Sequence, residues 1–141
     1  MSARAPANYP CASCPYRRDV PSGVWHVSEY EKLPPYDNDT AEQPMGLFMC
    51  HQQNERVCSG WVGCHDMQES MALRIAFSMA VVSQEDYEAM LDYQCPVPLF
   101  ASGHNAAIHG LRDVADPSEG AQRAIDKLEA RRRRRESDAT T

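Results

Sequence analysis

From Asp66 onward the apolar positions of the chain recur with a helical period, and before it they do not. In "DMQESMALRIAFSMAVV" the residues Met67, Met71, Ile75, Met79 and Val82 share one stripe, widened by Leu73, Phe77 and Ala80. That spacing predicts a largely buried helix, capped by Asp66, as the central helix of the core. A methionine stripe at this period reads as core filler rather than a thioether metal site. "SQEDYEAML" restarts a helix at Ser83. Pro96 and Pro98, each without a backbone donor, then force an extended or turning connection. Ser102 is placed to cap a helix carrying Ile108, Leu111 and Val114. The last helix takes Asp116 as N-cap, Pro117 at N1 and Glu119 at N3, with Ala121, Ile125 and Leu128 on one face. Residues beyond Arg135 are expected to fray.

The preceding half reads differently. Seven of the ten prolines fall in residues 1–44, joined by "PSG" and "DND", so long helices have no room there. One short helix is signalled by Ser28 with Glu31 three positions on, a capping box stopped by Pro34 and Pro35. The expected fold is mainly α, a small α or α+β protein. Residues 1–130 form a single Cys-rich domain, loop-rich over 1–65 and helical over 66–130 in about four helices. Residues 131–141 form an Arg-rich, frayed tail. No internal repeat is visible.

Composition narrows the class. A chain of 141 residues can bury a modest core without help, and 43% hydrophobic with 24% charged residues is ordinary for a globular protein. No apolar run approaches the roughly 18 residues of a membrane span, so no membrane partner is expected. "MSARAPANYP" lacks the apolar core of a secretory signal, so the expectation is a cytoplasmic protein with reduced cysteines. Residues 117–141 carry seven basic and five acidic groups, against −6 for the whole chain, which leaves −8 on residues 1–116. An acidic body of this kind does not attract phosphate backbones at long range. The exception is the run Arg131, Arg132, Arg133, Arg134 and Arg135. It reads either as a solvated helix end, favoured by the helix dipole, or as a tail for nucleic acid or another acidic partner.

The strongest signal is where the cysteines lie. Five of the six, Cys11, Cys14, Cys50, Cys58 and Cys64, sit in the half where regular structure is weakest. A segment poor in buried apolar surface can still be folded by metal binding. Cys11-x2-Cys14 lets two sulfurs of one tight turn reach one ion, and Cys50 and Cys58 are placed to close a tetrahedral site from a second loop. Seven residues separate that second pair, wider than a zinc knuckle, which leaves Cys64, His51 and His65 as alternates. The expected cofactor is Zn2+. A [4Fe–4S] cluster is the alternative, since it takes four thiolates at irregular spacing, often with proline after a ligand, as in Cys14-Pro15.

The remaining candidates read as structural. Cys95 stands alone before Pro96, and His26, His104 and His109 lie outside the cluster. Trp25 and Trp61 are expected to pack around the site, and Arg17 and Arg18 to pair with Asp19 by default. Thioredoxin-like exchange needs a long helix after the C-x2-C, which Pro21 and Gly23 forbid. Gly-rich phosphate loops, G-x-S-x-G and H-E-x-x-H are missing, as is the H-x-E of zinc deaminases. Catalysis by a metal-bound water would need a base such as Asp66 or Glu55, which nothing in the sequence fixes.

The stretches "CASCPYRRDVPSGVW", "EYEKLPPYD", "CHQ", "CSGWVGCH" and "VPLFASG" resemble an uncharacterised domain-of-unknown-function family of actinobacteria and their phages. The resemblance spans nearly the whole chain. It implies a small cytoplasmic bacterial or phage product with the Cys/His stretches as its signature, and no assigned reaction. The chain also resembles actinobacterial WhiB-type regulators in pairing cysteines with G-V-W and G-W-V-G elements and a basic tail. Those proteins place the C-x2-C after a lone cysteine, so that likeness implies only [4Fe–4S] chemistry by analogy. The expected function is therefore binding rather than catalysis. A structural zinc module would present a surface to a protein or nucleic-acid partner; an iron–sulfur protein with a redox or sensing role is the alternative.

Overall fold

The computed structural model describes residues 2–139. Among these the chain is mainly helical: α1 (Val27–Glu31), α2 (Ser59–Cys64), α3 (Met71–Ser78), α4 (Gln84–Asp92), α5 (Gly103–Arg112) and α6 (Glu119–Ala139). Single 3-10 turns cover Pro34–Asp37, Thr40–Glu42 and Met67–Glu69. Sheet-like pairing among the described residues is confined to isolated bridges, Arg4 with Arg56, Met49 with Val57 and Arg17 with Leu99.

Several expected starts are met by the expected cap. The Ser83 side chain accepts from the Asp86 N–H at 3.1 Å, and that of Ser102 from Asn105 at 3.0 Å. Two caps move by two residues. His26, not Ser28, caps α1 by accepting from the Ser28 N–H through Nδ1 at 3.1 Å. Ser118, not Asp116, receives the Ala121 N–H at 3.1 Å and so begins α6. A side-chain acceptor close to the first free amides wins in each case, whatever the sequence template favours.

The long helix expected from Asp66 is broken twice. Asp66 caps only the 3-10 turn, accepting from the Gln68 N–H at 3.0 Å, and Ser70 opens α3 afresh by accepting from Leu73 at 3.2 Å. At the far end Ala80 turns left-handed, φ 58°, and the Val81 N–H reaches back to the Ala76 carbonyl at 2.9 Å. This is the six-to-one closure that ends a helix. Met67 and Val82 are buried as the stripe requires, yet Met79 is 69% exposed and the inward face of α3 is Ala72, Leu73 and Ala76. The exposed Phe77 stacks on Tyr87 of α4 at 4.3 Å between ring centroids.

In α5 the helix forms where expected but turns a different face inward. Ile108 and Leu111 are exposed, while Gly103, Ala106, Ala107 and Gly110 are buried. Small residues win because the partner comes close: a Cβ on Gly110 would fall inside the Tyr30 ring, and one on Gly103 against the Leu33 carbonyl. The core's weight is likewise displaced. Six of its nine largest fully buried side chains, Trp61, Tyr16, Tyr30, Leu33, Val57 and Cys14, precede Asp66. The proline-rich half thus builds most of the core, and α3 to α5 close around it.

The arginine run is not a frayed tail over its described length. Helix α6 continues through it to Ala139; residues 140 and 141 of the expected tail lie outside the described residues. Ala121 and the half-buried Ala124, Ile125 and Leu128 seat α6 on Val20 and Val24, a second small core.

Gly110→Ala should lower stability by about 1–3 kcal/mol, because forcing a methyl into the Tyr30 ring outweighs the better helix propensity of alanine. Gly46→Ala, with no atom within 4 Å of the added Cβ, should leave thermal unfolding unchanged. Parallel melting curves of the two variants test this.

Candidate metal centre

The first pair of thiols is set by two consecutive turns. The Cys14 N–H donates to the Cys11 carbonyl at 3.0 Å, and Arg17 to the Cys14 carbonyl at 3.1 Å. Arg17 braces them from outside, donating to the Pro10 carbonyl at 3.2 Å while its guanidinium holds Asp19 through two bonds of 2.8 Å. The expected Arg17–Asp19 pairing is therefore present.

The second pair sits on a hairpin-like loop. Cys58 donates its N–H to the Phe48 carbonyl at 2.9 Å and Cys50 to the Arg56 carbonyl at 2.9 Å, with Met49 opposite Val57. Antiparallel pairing returns the chain, so the seven intervening residues, too wide for a knuckle, still leave Cys50 and Cys58 on one loop base. Glu55 takes the left-handed turn at the tip, φ 67°. Cys58 then precedes α2, and Gly60 lets that helix lie on the first loop: a Cβ there would stand 2.5 Å from Cys14 Sγ.

Of the four proposed sulfurs, Cys14 and Cys58 are in contact and the other two lie nearby. Cys14 and Cys58 are buried with their sulfurs 3.7 Å apart. The half-buried Cys11 thiol is near enough to Cys14 and Cys50 to interact electrostatically with both. Among the described residues, no three His, Cys, Asp or Glu side chains already surround one point as metal ligands do. The sulfurs are therefore neighbours in the order Cys50, Cys11, Cys14, Cys58 rather than a closed tetrahedron.

Their electrostatics follow from crowding. The hydrogen bond from Cys14 and burial push the Cys11 thiol up to about 11, although Cys50 opposes this. Cys14 stays well above the ordinary thiol range even though the Cys11 hydrogen bond lowers it, because Cys58 and burial raise it more. Cys50 is raised by Cys11 and by burial. Neutral thiols are the stable form of such a cluster unless a cation compensates the thiolates.

The alternates are held elsewhere. Cys64 donates to the Phe100 carbonyl at 3.4 Å, and burial, with the Asp37 charge, lifts its thiol to about 12. His65 has both ring nitrogens engaged, Nδ1 at 2.9 Å from the Trp61 carbonyl and Nε2 at 2.9 Å from Asp37 Oδ1. His51 directs Nε2 at Glu29, 2.5 Å away, and lies over Trp25 with centroids 4.5 Å apart. Cys95 Cβ sits near Gly63, beside the Tyr93 ring. Of the suggested bases, Asp66 is occupied by Gln68 and Glu55 is exposed at the hairpin tip.

Three residues that the pattern did not single out, Ser13, Asp37 and Tyr16, organise the surroundings. Ser13, between the first two cysteines, accepts the Trp25 Nε1–H on its carbonyl at 2.7 Å, and its hydroxyl receives the Gln52 amide. Asp37 accepts from the Gly103 and His104 N–H groups at 2.8 and 2.7 Å while holding His65, and so ties the start of α5 to α2. Only the "DND" turn signal hinted at Asp37, since His65 is 28 residues away and its α5 partners over sixty. Trp61 and Tyr16 are fully buried, with the indole N–H and the phenol lacking a hydrogen-bond partner.

A small, mainly helical protein with four neighbouring thiols on two loops, two of them buried, is the class these features define. A family model described as a family of unknown function (DUF6283) matches residues 6–133, and the chain belongs to that family. Neither a curated protein nor a solved structure matches it.

Asp37→Ala should open the first turn of α5 and cost about 1–2 kcal/mol, as removal of a capping carboxylate does. Faster amide exchange at Gly103 and His104, with unchanged exchange at Cys14, is the expected reading.

Proposed function

We propose that this protein is a small metal-binding module in which Cys11, Cys14, Cys50 and Cys58 hold a structural Zn2+, and that it acts by presenting a surface to a partner rather than by catalysis. One observation carries the reading: cysteines from two loops far apart in sequence bring their sulfurs together inside the core, with Cys14 and Cys58 3.7 Å apart. That separation is far beyond a bonded disulfide, about 2.05 Å. It agrees with the edge of a tetrahedron whose Zn–S arms are about 2.3 Å, which works out at roughly 3.8 Å. The raised thiol values support the same reading, because a dication supplies the compensation that crowded thiolates lack. Closing the site needs Cys11 and Cys50 to turn toward the Cys14–Cys58 pair. A cytoplasmic setting and a bacterial or phage origin belong to the same reading. Among the described residues no helix is long and apolar enough to cross a membrane.

The protein purified without oxygen should be colourless and carry one equivalent of zinc, with Cys14→Ser abolishing it. Cys64→Ser and His65→Gln should keep the full equivalent. A brown protein absorbing near ~400 nm would replace zinc by a [4Fe–4S] cluster on the same thiols. A metal-free, fully folded protein would remove both. Zinc should also be released as pH falls, since protons compete for the thiolates; a chromophoric chelator titrated across pH reads this directly.

A further inference from the structure

Helix α6 does not lie flat against the body along its whole length. Between it and the loops of Trp25 and His51 opens a cleft of about 430 Å3. That is within the range of small-molecule sites, roughly 300–1,000 Å3. One wall is aromatic and held rigid: Trp25 is pinned by its indole N–H on the Ser13 carbonyl and by its backbone N–H on the Tyr30 hydroxyl at 3.0 Å. The facing wall is apolar at Ile125 and Leu128 and becomes cationic one and two turns further on, at Arg132 and Arg135. These arginines are exposed, and the i,i+3 spacing sets both guanidiniums over one rim. Two carboxylates also line the cleft. Glu29 is answered by Lys32 at 3.0 Å and by His51, and Glu129 also lines the cleft. The rim is the cationic end of a chain whose body is acidic.

We propose that this cleft binds a nucleotide, with the base on the Trp25–His51 wall beside Ile125 and Leu128 and the phosphate on Arg132 and Arg135. An aromatic platform next to paired guanidiniums is what stacking and phosphate recognition each require, and only a ligand with a flat ring and an anionic group uses both. The ligand is either a free mononucleotide or the terminal nucleotide of a single strand. The site goes beyond the thiol centre and does not depend on which metal the thiols hold.

Isothermal calorimetry on the full-length protein, metal content held constant, tests this with AMP, GMP and UMP, with inorganic phosphate, and with a short single-stranded oligonucleotide. A nucleotide should bind more tightly than phosphate, and Arg132→Glu should weaken it roughly ten- to hundredfold. Arg132 is exposed on a helix, so circular dichroism should show that variant folded; Trp25→Phe, which keeps a ring, should weaken binding less. Binding of the oligonucleotide well above that of any mononucleotide assigns the site to a strand end, and the reverse to a free nucleotide. Equal affinity for phosphate and nucleotide, no heat with either nucleotide or strand, or indifference to Arg132→Glu overturns the proposal.

Discussion

The contact on which the rest depends is that of the Cys14 sulfur with the first turn of α2. Cys14 is fully buried, its sulfur touches that of Cys58, and no side chain at position 60 would leave room for it. This packing joins the turn at residues 11–17 to the hairpin at 48–58, two segments that have almost no regular structure to hold them separately. Trp61, one turn into α2, then lies in the middle of the core against Tyr36 at 5.3 Å, and Tyr16 fills the space beside Phe48 at 5.8 Å. A protein interior is as dense as an organic crystal, so a sulfur seated that closely fixes the rotamers around it.

From that centre a line of polar contacts leads outward. Ser13 links Trp25 to Gln52, and Gln52 in turn receives Arg131 on its side chain and Arg135 on its carbonyl at 3.2 Å. The arginine helix is therefore anchored at its foot by Val20 and Val24 and further along by the loop that carries Cys50. The cleft and the thiol loops share their supports: His51 follows Cys50 directly, and Trp25 donates its indole N–H to the Ser13 carbonyl between Cys11 and Cys14.

A second constraint is the close approach of α1 to α5. Tyr30 and Leu33 pack where Gly110 and Gly103 provide no side chain, and Asp37 caps α5 from the adjoining turn. Helix α1 and the turn at Pro34–Asp37 are thus held by a helix that the sequence places more than sixty residues later. Apolar area alone does not choose this arrangement, for Ile108 and Leu111 remain outside it.

Local chemistry determined the helical character of the second half, the caps at Ser83 and Ser102, the turn at the first two cysteines and the residue types able to hold a soft metal. These follow from interactions spanning a few residues: a hydroxyl near free amides, a proline without a donor, two thiols on one turn. Tertiary structure alone decided which helix faces are buried, where the long stripe after Asp66 breaks, that the arginines extend a docked helix, and that Cys64 and His65 turn toward Phe100 and Asp37. Each of those outcomes depends on a partner distant in sequence whose size and closeness no periodicity encodes. Glycine and alanine read as weak core positions until a tyrosine ring needs the space, and then they outweigh isoleucine and leucine.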